Sequence, residues 1–253
     1  MTEIGSQPFF TEKPHLSIIY QDEYLVAVDK PSGLFVHRSP MDKHEIYFAL
    51  QLVRDQVGQY VYPLHRLDRP TSGVLLFALS EEVARLMGKK FTEKEINKEY
   101  YALVRGHLNG QGEVDYPLKE KLDKLGDRLV SRNKEAQTAV TRYQSIAQIS
   151  LPIALGKYDS VRYSLIKLYP QTGRRHQLRR HLAHLRHPII GDINYGDNKQ
   201  NPFFYQYFGY KRLMLHAKSL NFSHPITNQD VTITAEFDRN WHELFECFGW
   251  SCK

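Results

Sequence analysis

Two β-rich runs open the chain, Leu16–Tyr20 and Tyr24–Val28, parted by the polar turn Gln21-Asp22-Glu23. Branched and aromatic residues on either side of such a turn predict a pair of strands. Lys30-Pro31-Ser32-Gly33 ends the second one, because proline and glycine break a strand. A helix is predicted over Glu45–Val57, and the short apolar run Val74–Leu79 reads as a buried strand. Ser80 followed by Glu81 and Glu82 marks a helix start. A serine hydroxyl can cap the first turn, and acids there meet the positive end of the helix dipole. Val83, Leu86, Met87 and Phe91 then supply an apolar face at helical spacing.

Further strands are predicted at Tyr100–Val104, Ala139–Ile149 and Val161–Tyr169. Between them Glu113–Arg132 is charged and weakly periodic, which predicts irregular or hairpin-like structure. Thr172-Gly173 leads into a helix ending near His187-Pro188. Leu178, Leu182 and Leu185 share one face of it, leaving Arg175, Arg179 and Arg186 largely on another. Asp192–Phe208, rich in Gly, Asn, Asp and aromatics, predicts a long surface loop. Strands at Arg212–His216 and Val231–Phe237 and a short tail helix close the chain. Strands outnumber helices, and several neighbours are joined by short polar connections. The expected fold class is therefore α+β, around a mainly antiparallel sheet. With no internal repeat and no low-complexity linker, one catalytic domain over 16–253 is expected, after a flexible segment 1–15.

Composition narrows the class without choosing a function. Hydrophobic residues make up 42% and charged residues 25% of 253, as in ordinary soluble globular proteins with a real core. No apolar run is long enough to span a bilayer, and Met1–Lys13 is polar, without a signal-peptide apolar region. A cytosolic, membrane-free protein is expected. Cys247 and Cys252 lie together at the tail. They can neither staple a domain of this size nor supply a zinc site, so they read as reduced thiols. The net charge of +6 gains meaning from its distribution: Arg174–Arg186 reads RRHQLRRHLAHLR, with five arginines and three histidines. That density suits a phosphate backbone.

Two stretches carry candidate chemistry. His65-Arg66-Leu67-Asp68-Arg69-Pro70-Thr71-Ser72-Gly73 sets one carboxylate among arginines in a Pro/Gly-bounded loop before a buried strand. Such loops often bear catalytic groups. Spacing alone leaves Asp68 evenly divided between a catalyst and a turn cap paired with Arg66 or Arg69. In the second stretch, Thr172-Gly173 precedes the basic helix and offers backbone N–H groups to an anion, with Arg174 at the helix start. A solvated basic face explains it equally well. His65, Asp68 and Ser72 lie too close in sequence for a hydrolase triad, and there is no GxSxG elbow. A glycosidase would need a second positioned carboxylate. His181, His184 and His187 form a drifting stripe without an accompanying acid or cysteine, so RNA-facing or solvated histidines are expected rather than a metal site.

The two stretches resemble the signature motifs of the RluA family of pseudouridine synthases, HRLDxxTSG and TGRxHQLRxH. Lys98-Glu99-Tyr100 matches a third family element, Lys-x-Tyr, and Asp29–Gly33 (DKPSG) and Arg212–Ala217 (RLMLHA) resemble two more. The matches fall in family order from about Leu16 to Phe237. KPSGLFVHRS, QTAVTRY and TGRRHQLRRHLAHLRHPIIGD look like the branch that modifies uridine-65 of tRNA. The chain has no room before Leu16 for the S4 RNA-binding domain of many ribosomal-RNA relatives. Asp29 stands where Asn is usual, and Arg175 where Thr or Ser is usual.

The resemblance implies a pseudouridine-synthase catalytic fold with flanking helices and a central active-site cleft. It implies no cofactor and no metal. Asp68 would be the catalytic carboxylate, Arg174 its ion-pair partner, and Tyr100 a group lying against the uracil and helping to remove its C5 proton. Substrate contacts are implied for His65, Arg66, Arg69, Thr71, Arg175, Leu178 and Arg179, with Arg66 filling the gap left by the extruded base. The implied partner is tRNA, with ribosomal RNA as the alternative substrate, and no obligatory protein partner for a monomer. A non-catalytic RNA-binding protein is the reading from a different class.

Overall fold

The structure is a computed structural model, and it describes residues 9–38, 44–119 and 135–251. Cys252 and most of the Glu113–Arg132 segment lie outside the described residues. The chain divides into two compact units, each discontinuous in sequence. The first takes residues up to Ile96 and returns for Asn221–Ala235; the second takes Asn97–Glu120, Glu135–Leu220 and Glu236 onward.

In the first unit β1 (Ser17–Gln21), β2 (Leu25–Lys30) and β4 (Ser72–Ala78) lie side by side, and the short β3 (Tyr62–Pro63) pairs with the far end of β4. β2 runs antiparallel to both neighbours, from Leu25 opposite Ala78 to Lys30 opposite Gly73. This register puts the Lys30 end of β2 beside the start of β4, directly after the Asp68 loop. All seven β4 residues are buried, as its unbroken apolar run predicts for a strand without a solvent face. Helix α1 (Ala49–Val57) begins four residues later than its periodicity suggests. Phe48 stays extended and bridges to Phe35, so a tertiary strand contact takes the residues that would form the first turn. Helix α2 (Glu81–Thr92) starts as read: Ser80 Oγ accepts from the Val83 N–H, and Val83 and Met87 are buried.

The second unit is built on β5 (Asn97–Arg105), β6 (Gln111–Asp115), β7 (Val140–Leu151), β8 (Val161–Pro170) and β9 (Leu215–Ser223), in the order β9-β5-β8-β7-β6. β5, β6, β7 and β8 form antiparallel pairs. From Asn221 on, β9 belongs to the first unit, where β10 (Asp230–Thr234) joins it. The buried core gathers Leu103, Tyr163, Leu165, Leu182, Ile190 and Trp241 among others. Helices α3 (Gln177–His184), α4 (Gln200–Phe208) and α5 (Arg239–Phe248) belong to this unit.

The α+β class and the antiparallel pairing agree with the sequence pattern. Three assignments change. Gln111–Asp115 is a strand, because β7 offers it a full ladder despite its charge. The Asp192–Phe208 loop ends in α4, whose Phe204 is buried against Tyr163, and Asp192 itself is buried. The strand placed at Arg212–His216 starts at Leu215 and continues to Ser223.

Candidate active site

The Asp68 loop is held from behind by the Lys30–Leu34 segment. Lys30, fully buried, donates from Nζ to the carbonyls of Pro31 (2.9 Å), Leu34 (2.8 Å) and Arg69 (3.1 Å). The Gly33 N–H also donates to the Arg69 carbonyl at 2.9 Å, and Ser32 Oγ donates to the Pro70 carbonyl at 2.8 Å. The turn closes through the main chain, where the Thr71 N–H donates to the Asp68 carbonyl at 3.0 Å. A buried lysine serving three carbonyls is a satisfied polar network, and such networks make a site rigid. Asp68 is therefore half-exposed on a loop whose backbone has little freedom.

The neighbours of Asp68 divide by role. Arg66 is exposed. Arg69 points its guanidinium at Glu45 and the Gly33 carbonyl and lies over the Phe35 ring, so it braces the loop instead of reaching outward. His65 accepts the Leu76 N–H on Nε2 at 3.1 Å and stacks on Phe91 of α2. Thr71 is buried. Of the residues offered as substrate contacts in this loop, Thr71 is buried, His65 and Arg69 are half-buried, and Arg66 is exposed.

In the second unit Tyr100 lies on β5, opposite Leu168 of β8, and packs against the core. Lys98 is two residues earlier, so both side chains point to the same face of the strand. Burial holds the Lys98 ammonium below its ordinary pKa.

The Thr172–Gln177 turn is organised by one side chain. Gln177 accepts from Thr172 Oγ1 at 2.7 Å and from the Arg174 N–H at 3.0 Å, and donates to the Val140 carbonyl and Thr141 Oγ1, both at 3.0 Å. Of the backbone N–H groups at this helix start, that of Arg174 is thus already spent. What the turn offers outward is side chain: Arg174 and Arg175 are both exposed, with Arg174 Nε donating to the Thr138 carbonyl. His176 takes the left-handed conformation (φ 54°) at the helix start, and its Nδ1 lies 3.0 Å from Tyr195 Oη.

Comparison with known proteins identifies what this arrangement belongs to. The family model for RNA pseudouridylate synthase matches residues 24–184, a stretch that holds Asp68, Tyr100 and Arg174. The chain belongs to the RNA pseudouridylate synthase family. It is 55% identical over 235 residues to the tRNA pseudouridine synthase C of Vibrio vulnificus, covering 93% of this chain and 96% of that one. It is 53% identical to the protein of that name from Yersinia pestis, covering 93% and 92%. Among solved structures, Human RNA Pseudouridylate Synthase Domain Containing 4 superposes with a TM-score of 0.68 at 26% identity, covering 93% of this chain and 94% of that one. Human RNA Pseudouridylate Synthase Domain Containing 1 gives 0.66 at 25%, covering 88% and 84%.

Within this pseudouridylate synthase, α3 departs from its expected faces. Arg179 is not on an exposed arginine face: it is 3% exposed and grips Asp192 with Nε and Nη2. The reason is tertiary, since the buried Asp192 needs a cation and Arg179 lies one turn into the helix beside it. Leu178 belongs to the core cluster. Of the three histidines His184 is exposed as expected, whereas His181 is not solvated. His181 is fully buried between Thr141 Oγ1 (3.0 Å) and the Tyr116 carbonyl (3.1 Å). The Tyr116 carbonyl can only accept, so the proton of the neutral His181 ring is assigned to Nε2, and Nδ1 accepts from the Thr141 hydroxyl. Burial pushes the His181 pKa down. His184 stacks on Tyr116, and His187 Nδ1 meets the Arg105 carbonyl at 2.8 Å. Sequence reasoning missed Lys30, Gln177 and Asp192 as the groups that shape these loops.

Proposed function

We propose that this protein isomerises uridine to pseudouridine in tRNA, at position 65, with Asp68 as the catalytic residue. The observation that carries it is identity above one half, over nearly all of both chains, to proteins named tRNA pseudouridine synthase C. The reaction breaks the N1–C1′ bond, turns the uracil and joins C5 to C1′. C5 loses a proton and N1 gains one, so nothing is added or removed and no cofactor or metal is required.

Asp68 acts as the ionised carboxylate, either as nucleophile toward the sugar or base, or as the base that takes a sugar proton. Its rigid loop suits either role, because a fixed carboxylate loses no freedom on reaching the transition state. A stacked target uridine is out of reach and must be flipped out, and the exposed Arg66 is free to fill the gap with its planar guanidinium. Tyr100 lies against the extruded uracil, and the exposed Arg174 supplies a guanidinium for an anionic partner. Arg175 adds phosphate contact. The protein acts in the cytosol as a monomer. Among the described residues no helix is long and apolar enough to cross a membrane.

The deciding experiment incubates the protein with tRNA transcripts and with ribosomal RNA fragments and maps pseudouridine in each. Modification of tRNA at position 65, abolished by Asp68→Asn with RNA binding retained, is the expected result. Modification of ribosomal fragments alone would reject the tRNA assignment. RNA binding without any pseudouridine would reject the enzyme reading.

A further inference from the structure

We propose that Ile193 is an apolar contact for the RNA, presented on a rigid turn beside the exposed arginines of the α3 start. The inference rests on the tRNA reading above and adds to it a residue outside the segment that the family model matches. Ile193 is 91% exposed, whereas the next most exposed large hydrophobic residue among those described, Tyr60, reaches 62%. Single surface apolar residues are ordinary, but a β-branched side chain almost wholly in water at a turn tip has neither packing nor turn propensity to explain it.

The turn is not loose. Asp192 Oδ1 accepts from the N–H groups of Asn194 (2.9 Å) and Tyr195 (3.0 Å), and Asp192 is itself clamped by Arg179. Asn201 accepts from the Gly191 N–H and donates to the Asp192 carbonyl, both at 2.9 Å. Gly191 has φ +78°, and a Cβ there would lie 1.7 Å from the Arg212 carbonyl oxygen. The backbone on both sides of Ile193 is thus fixed by buried polar groups and close packing. A side chain held this way loses little entropy when it meets a partner.

Charge selects the partner. The contact between Tyr195 Oη and His176 Nδ1 ties the turn to the start of α3, where Arg174 and Arg175 are exposed. An apolar tip on a turn tied to a segment that carries two exposed arginines complements a chain of phosphates whose sugars and bases are apolar between the charges. Apolar residues of this kind pack against sugars or wedge between bases and ease their unstacking. A second copy of the chain carries the same +6 charge and would meet these arginines less favourably.

The test compares wild type, Ile193→Ala and Ile193→Leu for tRNA affinity by filter binding and for single-turnover pseudouridine formation. Ile193→Ala is expected to weaken tRNA binding about three- to tenfold, with Ile193→Leu close to wild type and the thermal midpoint unmoved. Binding by Ile193→Ala within twofold of wild type would overturn the assignment. So would unchanged RNA binding together with an altered sedimentation coefficient, which would mark a contact between copies. A wild-type protein that binds tRNA without isomerising it defeats the reaction proposed above, and the affinity comparison still decides Ile193. If wild type does not bind tRNA, both proposals fall.

Discussion

Arg179 and Asp192 form a two-pronged ion pair inside the second unit, Nε to Oδ2 at 2.7 Å and Nη2 to Oδ1 at 2.9 Å. Their side chains are 4% and 0% exposed. Burial alone would raise the Asp192 pKa; the Arg179 hydrogen bond and charge, with the Asn194 and Tyr195 N–H groups, outweigh it and hold the carboxyl below its ordinary range. Removing one partner strands a buried charge, which costs about 3–5 kcal/mol. Arg179→Ala and Asp192→Ala are each expected to lower urea-unfolding stability by that order. The two effects should be strongly non-additive in the double variant, because the second loss removes the stranded charge. Additive effects would show that the pair is not the cause.

Lys30 offers a test of loop rigidity. Its ammonium serves three carbonyls around the Asp68 turn. Lys30→Met keeps the stem and leaves those acceptors short of a donor, at about 1–3 kcal/mol for an unsatisfied buried group. The expected result is a stability loss of that order with a fall in kcat larger than any change in KM, read from steady-state kinetics on tRNA. Wild-type kcat in a folded Lys30→Met protein would show that the brace does not position the catalytic loop.

His181 predicts a pH dependence. Burial lowers its pKa from the ordinary value of 6.5, so the folded state resists protonation that the unfolded chain accepts. The neutral form therefore contributes stability above about pH 6.5, and that contribution is lost as pH falls through the folded-state pKa. Asp192 is also depressed, but its contribution is lost only below the ordinary carboxyl value of 3.8, under the pH values that test His181. Urea midpoints measured at about pH 7.5 and pH 5.5 should fall for wild type. The fall should be smaller for His181→Gln, whose side chain does not titrate. An equal fall in both would assign the effect to other groups.

Tyr100 separates packing from chemistry. Tyr100→Phe keeps the ring against the core and deletes only the hydroxyl. If that hydroxyl assists proton removal from C5, kcat should drop by about a hundredfold or more, with tRNA affinity and thermal midpoint nearly unchanged. Tyr100→Ala should lose both activity and stability. A Tyr100→Phe enzyme with full kcat would reduce Tyr100 to a stacking surface.

Much of the second unit's ladder was legible because β5, β7 and β8 are long apolar or alternating runs whose local pattern and burial agree. Helix α2 was legible for the same reason: Ser80, Glu81 and the Val83–Phe91 face all point to one start and one orientation. Helix α1 was legible only in part, since Phe48 prefers its bridge to Phe35 over the first helical turn. The motifs singled out Asp68, Tyr100 and Arg174, but not which of their neighbours are engaged. Arg66 and Arg69 look alike in HRLDR, and it is Glu45, 24 residues earlier, with the Gly33 carbonyl and the Phe35 ring, that draws Arg69 inward.

Local order along the chain determined the class of fold, the places where the backbone turns, and the family to which the two motifs belong. These are short-range properties, carried by periodicity, capping residues and contiguous signatures. Tertiary structure alone decided which charged residues face water. Arg179 and His181 sit in the most basic stretch of the sequence, yet both are buried, because Asp192 and the Thr141–Gln177 network supply the partners that make burial tolerable. Ile193, apolar by sequence, is left in solvent for the converse reason. The hydrogen bonds of Gly191, Asp192, Asn194 and Tyr195 fix the turn beneath it.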